Sequence, residues 1–245
     1  MKKVLGLIRR CIQDFDMIED GDKIGVGVSG GKDSMVLLYA LKLYQNFSPE
    51  KFELEAFTVD LGFEEFHIDH IEKYCNSIDV PLNIKKTHIK NVVFDIKREK
   101  NPCSLCANMR RGAIHNSLRD RGFNKLALGH HSDDAIETLF LSMFYEGRIK
   151  TLPPKSYLTR KNLYVIRPSL YLSEKIIEQT VSKFQIPVIK NPCYVDKNTK
   201  REEVHKILQN IYKEIPESRD RIFTAIKNKE EYKLWFDFGK DDANE

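Results

Sequence analysis

Apolar positions along this chain keep two different rhythms, and the two alternate. Short runs rich in β-branched and aromatic residues (Lys23–Val28, Phe52–Asp60, Leu82–Thr87, Lys125–Leu128 and Leu163–Arg167) read as strands of a buried sheet. Between them lie apolar stripes at helical spacing. Val4, Leu7, Ile8, Cys11, Ile12 and Phe15 mark a helix near the start. Met35, Val36, Leu38, Tyr39 and Leu41 mark one from Asp33 to about Phe47. Further helices are predicted over Phe66–Ile78, Ser104–Arg121, Asp133–Tyr145 and Ser173–Phe184, and the remainder is largely helical up to a polar tail after Gly239. Strand–helix alternation at this spacing predicts an α/β fold, a parallel sheet with helices on both faces. The expected organisation is an N-terminal helix (1–20), an α/β nucleotide-binding domain (21–190), and a C-terminal helical segment (191–245) on the same domain.

In open parallel sheets, ligands bind beyond the carboxyl ends of the strands, so the residues just after each strand carry the chemistry. After the first strand comes Ser29-Gly30-Gly31-Lys32-Asp33-Ser34, leading straight into a helix. Two glycines let backbone N–H groups approach an anion, and the helix N-terminus adds partial positive charge. Lys32 supplies a full charge for phosphates; Ser29 and Ser34 supply hydroxyls. The kinase and GTPase loop has four residues between its first Gly and Gly-Lys-Ser/Thr, so this shorter loop with Asp after Lys is of another kind. The second strand ends at Asp60, suited to a ribose hydroxyl or an adenine amine. The fourth ends at Gly129-His130-His131-Ser132-Asp133-Asp134, where the two carboxylates can cap a helix, hold Mg²⁺, or both.

Cysteine supplies the second chemical signal. There are five, at 11, 75, 103, 106 and 193, an odd number that argues against a disulfide framework. Cys11 and Cys75 fall on apolar helical stripes and read as core. Pro102-Cys103-Ser104-Leu105-Cys106 places two thiols within reach of one metal or cluster, and Cys193 is the remaining cysteine in a plausible loop. Three thiolates on a cubane leave one iron open, unlike a four-Cys electron-transfer cluster. His130 or His131 remains a candidate fourth ligand.

Charge changes the picture only locally. Forty Lys and Arg against 36 Asp and Glu leave a formal charge of +4, too modest to imply a nucleic-acid partner by itself. Basic residues crowd around the Cys pair (Arg98, Lys100, Arg110, Arg111) and after the long helix (Arg148, Lys150, Lys155, Arg160, Arg167), with Tyr145, Tyr157 and Tyr164 interleaved. That combination suits a surface tracking RNA phosphates with stacking partners, and the loops 97–103 and 146–162 are the candidate grips. No stretch approaches the ~18 apolar residues of a membrane span, and the apolar centre of Met1–Arg10 is too short for a signal peptide. A cytoplasmic protein is expected.

The motifs taken together resemble a known family. The loop Ser29–Ser34, Pro102-Cys103-Ser104-Leu105-Cys106 with Met109-Arg110-Arg111-Gly112, Leu128–Asp134, Glu137-Thr138-Leu139, Met143-Phe144-Tyr145, Pro153-Pro154-Lys155, Ile166-Arg167-Pro168 and Pro192-Cys193 occur in the order found in the tRNA 2-thiocytidine synthetases, over about residues 20–210. The resemblance implies an adenine-nucleotide α-hydrolase-like (PP-loop ATPase) fold. It also implies use of ATP, Mg²⁺ and a [4Fe-4S] cluster, and replacement of the 2-oxygen of an anticodon-loop cytidine by sulfur as ATP yields AMP and pyrophosphate. It further implies sulfur delivered through a cysteine desulfurase, and a homodimer is an open possibility. By that resemblance Ser29 to Ser34, Gly129 and His130 serve ATP, and Asp60 joins them from its place at the end of the second strand. From the chemistry of adenylation, Lys32, Asp133, Asp134 and Arg110 are the expected catalytic residues, with Asp133 also a Mg²⁺ ligand. Cys103, Cys106 and Cys193 hold the cluster by the same resemblance, while the charge pattern makes Arg111, Arg148, Lys150 and Lys155 the expected tRNA contacts. Many relatives have another cysteine where this chain has Asp196, which removes an extra sulfur-handling thiol. The related 2-thiouridine enzymes carry terminal Cys-rich zinc fingers, which these five cysteines do not form. A 2-thiouridine-type thiolase and a cluster-free PP-loop ligase of the tRNA-lysidine synthetase kind are the alternatives.

Overall fold

The structure is a computed structural model that describes residues 1–63, 65–97, 102–189, 193 and 199–228. Six strands form one sheet in the order β3-β2-β1-β4-β6-β5: β1 Asp22–Gly27, β2 Phe52–Asp60, β3 Leu82–Lys86, β4 Lys125–Ala127, β5 Lys155–Leu158 and β6 Leu163–Ile166. All pairings are parallel except β5 with β6. The described helices are α1 Lys2–Asp14, α2 Lys32–Gln45, α3 Ile68–Ser77, α4 Pro102–Asp120, α5 Ser132–Glu146, α6 Glu174–Phe184, α7 Lys200–Glu214 and α8 Ser218–Lys227. Strand order runs outward from β1 to β3, then returns to β4 on the other side of β1. This makes β1 and β4 the topological switch point at whose carboxyl ends a ligand crevice opens.

The chain divides into two compact units, 1–134 with 152–199, and 135–151 with 200–245. In the first, alternate strand positions feed a core of Phe57, Leu118, Phe123, Leu126, Leu163 and Val165, with α4 contributing Leu118 and Ile114 from above the sheet. Ile24, Val26 and Ala56 alternate with that set and are fully buried on the opposite side. Helix α2 runs beside β1 and β2 and packs on α1 and α6. It is buried on nearly every side, which explains an apolar run (Met35 to Leu38) too continuous for an amphipathic surface helix. In the second unit, Ile136, Val204 and Leu208 form the core, with Phe140, Ile211, Ile222 and Phe223 packed against it.

Two stretches differ from expectation. Residues 146–162, expected as a single gripping loop, contain β5 and a 3₁₀ turn at Thr159–Lys161. Asn162 in the left-handed region (φ 47°) turns the chain back, and Tyr157 then meets Tyr164 across the pair, ring centroids 4.7 Å apart and planes tilted by 42°. One antiparallel edge strand therefore completes a sheet expected to be wholly parallel. Asn91–Ile96 forms a π-helical turn that the apolar pattern did not announce. The other expected grip, 97–103, falls mostly on residues outside those described. No described helix is long and apolar enough to cross a membrane.

Candidate active site at the carboxyl ends of β1, β2 and β4

The loop after β1 is braced by its own hydroxyls. Ser29 N–H donates to Ser34 Oγ at 3.1 Å, Ser34 Oγ donates to the Gly31 carbonyl at 3.0 Å, and Gly31 N–H reaches Ser29 Oγ at 3.3 Å. Gly30 sits at φ 82°, where a side chain would be strained, and its carbonyl accepts from Ile189 N–H at 2.9 Å. Helix α2 starts at Lys32 with Gly31 as N-cap and no side-chain cap. First-turn N–H groups left without a side-chain acceptor are the donors an anion binds.

The loop after β4 fits directly against this turn. A Cβ on Gly129 would lie 2.8 Å from the Asp33 carbonyl carbon and 2.9 Å from Ser34 N, so only glycine allows the two loops to touch. Gly129 therefore has a packing role. His131, the second His of the pair, is buried among three carboxylates. Its Nε2 lies 3.7 Å from Asp33 and 3.5 Å from Asp134, and its Nδ1 lies 3.5 Å from Asp133. Burial pulls the imidazole pKa down, but Asp133, Asp134 and Asp33 outweigh it and hold the pKa above its ordinary value. Burial also raises the pKa of Asp33, against the opposing charges of His131 and Lys32, and its Oδ1 is buried without a hydrogen-bond donor. Asp133 Oδ2 accepts from Glu174 N–H at 2.8 Å, and Asp134 Oδ2 accepts from His131 N–H at 3.0 Å. His130 Nδ1 accepts from Arg167 Nε at 3.3 Å, which puts the ring proton on Nε2, while Arg167 also donates to the Pro153 carbonyl at 2.7 Å.

Beside the loop opens a cleft of about 190 Å³ lined by Ser29, Gly31, Val59, Leu61, Phe63, Phe66, Arg110 and Ile189. Apolar walls with a few polar groups at one end suit a flat heterocycle whose phosphates reach the loop. Asp60 flanks this lining, but its Oδ1 accepts from Gly62 N–H at 2.9 Å and so shapes the local turn.

Cys193, Arg110 and Cys103 all act electrostatically on Cys106. Cys103 and Cys106 lie one turn apart at the start of α4, and Arg110 comes four residues after Cys106 on the same face. Burial raises the Cys106 thiol pKa, the neighbouring Cys193 raises it further, Arg110 lowers it, and Cys103 raises it. Cys193 is thus near enough to be felt electrostatically at Cys106. The Ile189–Gly30 hydrogen bond anchors its segment at the nucleotide loop. Four residues reach at most about 14 Å from that anchor. Among the described residues, no three His, Cys, Asp or Glu side chains are drawn together as ligands of a single ion. A cubane places each thiolate on a different iron, so its ligands are spaced more widely than those of one ion. Surrounding protein lowers the Arg110 pKa although its side chain still reaches solvent, as in a cleft wall. Cys11 and Cys75 are buried with thiols pushed up to about 12 and about 11, inert core residues as their stripes implied.

The expected RNA contacts are divided between the two units. Arg111 is exposed on α4 and donates to Asn108 at 2.7 Å. Arg148 and Lys150 are exposed in the second unit. Lys155 Nζ donates to the Asp16 carbonyl, lies 3.3 Å from Glu19, and sits 5.1 Å from the Tyr164 ring centre. Sequence alone did not single out Glu174, which pairs with Lys32 at 2.7 Å, nor Ile189, nor the role of His131 over His130.

A strand–loop–helix with a braced Ser-Gly-Gly-Lys-Asp-Ser turn at the switch point of a mostly parallel sheet defines a PP-loop ATPase, and a PP-loop domain model matches residues 6–211. Within that class the chain belongs to the tRNA-cytidine(32) 2-sulfurtransferase family. It is 38% identical to the member from Dechloromonas aromatica over 93% of this chain and 80% of that one. It is 37% identical to that of Bdellovibrio bacteriovorus over 92% and 88%. Among solved structures it shares the fold of the U34-tRNA thiolase NcsA from Methanococcus maripaludis, determined with its [4Fe-4S] cluster. The TM-score is 0.73 at 24% identity, covering 91% of this chain and 76% of that one. It shares a more distant likeness with the NAD⁺ synthetase of Burkholderia pseudomallei, with a TM-score of 0.51 at 12% identity.

Proposed function

We propose that this protein is an ATP-dependent tRNA thiolase that exchanges the 2-oxygen of cytidine 32 for sulfur. One observation carries the reading: Arg110 lines the nucleotide cleft and its charge is also felt at the Cys106 thiol, one turn back on α4, which in turn feels Cys193 and Cys103. An activating nucleotide and a sulfur-handling centre then meet on one arginine. A pyrimidine carbonyl oxygen leaves poorly, so it must first be activated. The base sits against Val59, Leu61, Phe63 and Phe66, and the phosphates take the uncapped N–H groups of α2. The cytidine 2-oxygen attacks the α-phosphorus; the new O–P bond forms as the bond to the β-phosphate oxygen breaks. Lys32 steadies the negative charge on the departing pyrophosphate. Mg²⁺ arriving with ATP suits the oxygens of Asp33, Asp133 and Asp134, where a buried carboxylate oxygen lacks a donor.

Three thiols with an adjacent cation fit a [4Fe-4S] cluster, held by Cys103, Cys106 and Cys193. When bound, it would supply an iron without a protein thiolate for the incoming sulfur. Arg110 is placed to hold the α-phosphate as AMP leaves with the former carbonyl oxygen. A cysteine desulfurase is the expected upstream source of sulfur, and the enzyme is expected to act in the cytoplasm. Mass spectrometry of tRNA nucleosides from cells lacking this chain tests the reading: 2-thiocytidine should disappear. Its persistence with loss of a thiouridine would move the assignment to the 2-thiouridine type. An iron-free protein after anaerobic purification would move it to a cluster-free PP-loop ligase.

A further inference from the structure

We infer that Glu174 is a positioning residue of the adenylation step, holding Lys32 aimed at the nucleotide phosphates. The inference rests on the thiolase reading but concerns a residue outside the glycine loop, the cysteines and the carboxylates after β4.

Lysine is a compact charge on a flexible four-carbon stem, so its direction must be set by a counter-charge. For Lys32 that counter-charge is Glu174 Oε1 at 2.7 Å, with both side chains about one-third exposed. Partial burial pulls the ammonium pKa down, but Glu174, Asp33 and Glu178 outweigh it and hold the pKa above its ordinary value. Glu174 is itself fixed. It opens α6, whose cap is Ser173 Oγ accepting from Ile176 N–H at 3.3 Å. Its backbone N–H donates to Asp133 Oδ2 at 2.8 Å, and Ser132 N–H and Oγ both donate to the Leu172 carbonyl, at 2.9 and 2.7 Å. The start of α6 is therefore bolted to the start of α5, which packs through Gly129 against the turn carrying Lys32. Asp33, the adjacent carboxylate, faces His131 instead. An ammonium has three donors, so Lys32 can keep Glu174 and still meet a phosphate oxygen. Such an arrangement is preorganisation: the charge is in place before pyrophosphate begins to leave.

The test measures AMP and pyrophosphate formation with tRNA, alongside ATP binding and melting temperature, for the holoenzyme and its Glu174→Ala, Glu174→Gln, Lys32→Ala and Lys32→Ala/Glu174→Ala variants. Glu174→Ala should lower kcat by about 10- to 100-fold, the cost of a misplaced group, while ATP affinity stays within about threefold. Glu174→Gln, which keeps a hydrogen-bond acceptor, should recover part of the loss. The double variant should be no slower than Lys32→Ala alone, because a residue that acts only through another adds nothing once that other is gone. Losses that multiply in the double variant, or an unchanged kcat in Glu174→Ala, would overturn the inference. If Glu174→Ala does not fold, the same cycle with Glu174→Gln decides it. A wild-type enzyme that makes no AMP with any tRNA would instead sink the thiolase reading.

Discussion

The same pair of strands, β1 and β4, carries a buried ionic cluster at each end, and the two are built on opposite principles. At the amino ends, Lys125 is almost fully buried and pairs with Asp22 at 2.6 Å and Glu19 at 3.2 Å, with Tyr164 5.7 Å away. Asp22 also accepts from Asn124 Nδ2 at 2.8 Å and Glu19 N–H at 2.6 Å. Every charge there has an opposite charge and a donor or acceptor. At the carboxyl ends, three aspartates share one imidazole, a buried Asp33 oxygen lacks a donor, and the lysine is one-third exposed. One cluster is closed and holds the strands together. The other gathers three carboxylates around one imidazole, with a partly exposed Lys32–Glu174 pair beside them.

The largest way to break that contrast is Asp22→Ala. It strands Lys125 in the interior, and removing one partner of a buried pair costs about 3–5 kcal/mol. Denaturant unfolding should show that loss, whereas the surviving folded fraction should keep its KM for ATP. A stable Asp22→Ala protein with a raised KM would mean the two ends are not separate in role. Lys32→Ala is the mirror experiment. A partly exposed pair contributes at most about 1 kcal/mol, so stability should scarcely move. AMP formation, by contrast, should fall by about 10²–10³-fold, the cost of deleting one preorganised charge donor.

Gly129→Ala probes how tightly the open end is built. The new methyl would sit 2.8 Å from the backbone of Asp33, which cannot swing aside as a side chain would. Overpacking of this kind costs about 1–3 kcal/mol, and here the strain falls on the first turn of α2. ATP binding, measured by nucleotide fluorescence, should weaken more than unfolding stability falls. Equal binding would show that the turn tolerates separation from the β4 loop.

Reading the sequence reached the open end far better than the closed one, for a physical reason. Ser29–Ser34 and Gly129–Asp134 are contiguous, and each comes directly after a strand whose own pattern is local, so position in the sheet followed from alternation alone. The ionic contacts are not local. Glu174 lies 142 positions from Lys32, and Lys125 lies 106 from Glu19, so no window along the chain contains both partners. Neighbouring His130 and His131 are chemically identical in sequence, and only packing decides that His131 is buried against the carboxylates. β5 was missed because four residues with one antiparallel partner carry too little pattern to stand out from a polar loop.

Lys155 sharpens the comparison at the smallest scale. Grouped with Arg148 and Lys150 as a basic run, it looked like an RNA contact, yet its head group belongs to the closed cluster, beside Glu19 and the Asp16 carbonyl and over the Tyr164 ring. A lysine whose charge is already paired releases no counterion when RNA arrives, whereas an exposed one does. Lys150→Ala should therefore reduce the slope of log binding constant against log salt by about 0.7–0.9, the share of one phosphate contact. Lys155→Ala should leave that slope unchanged and lower stability by about 0.2–1 kcal/mol, as a surface pair does. Binding titrations with tRNA at several salt concentrations separate the two. A slope that drops with Lys155→Ala would place RNA against the closed end of the sheet and make that cluster more than a brace.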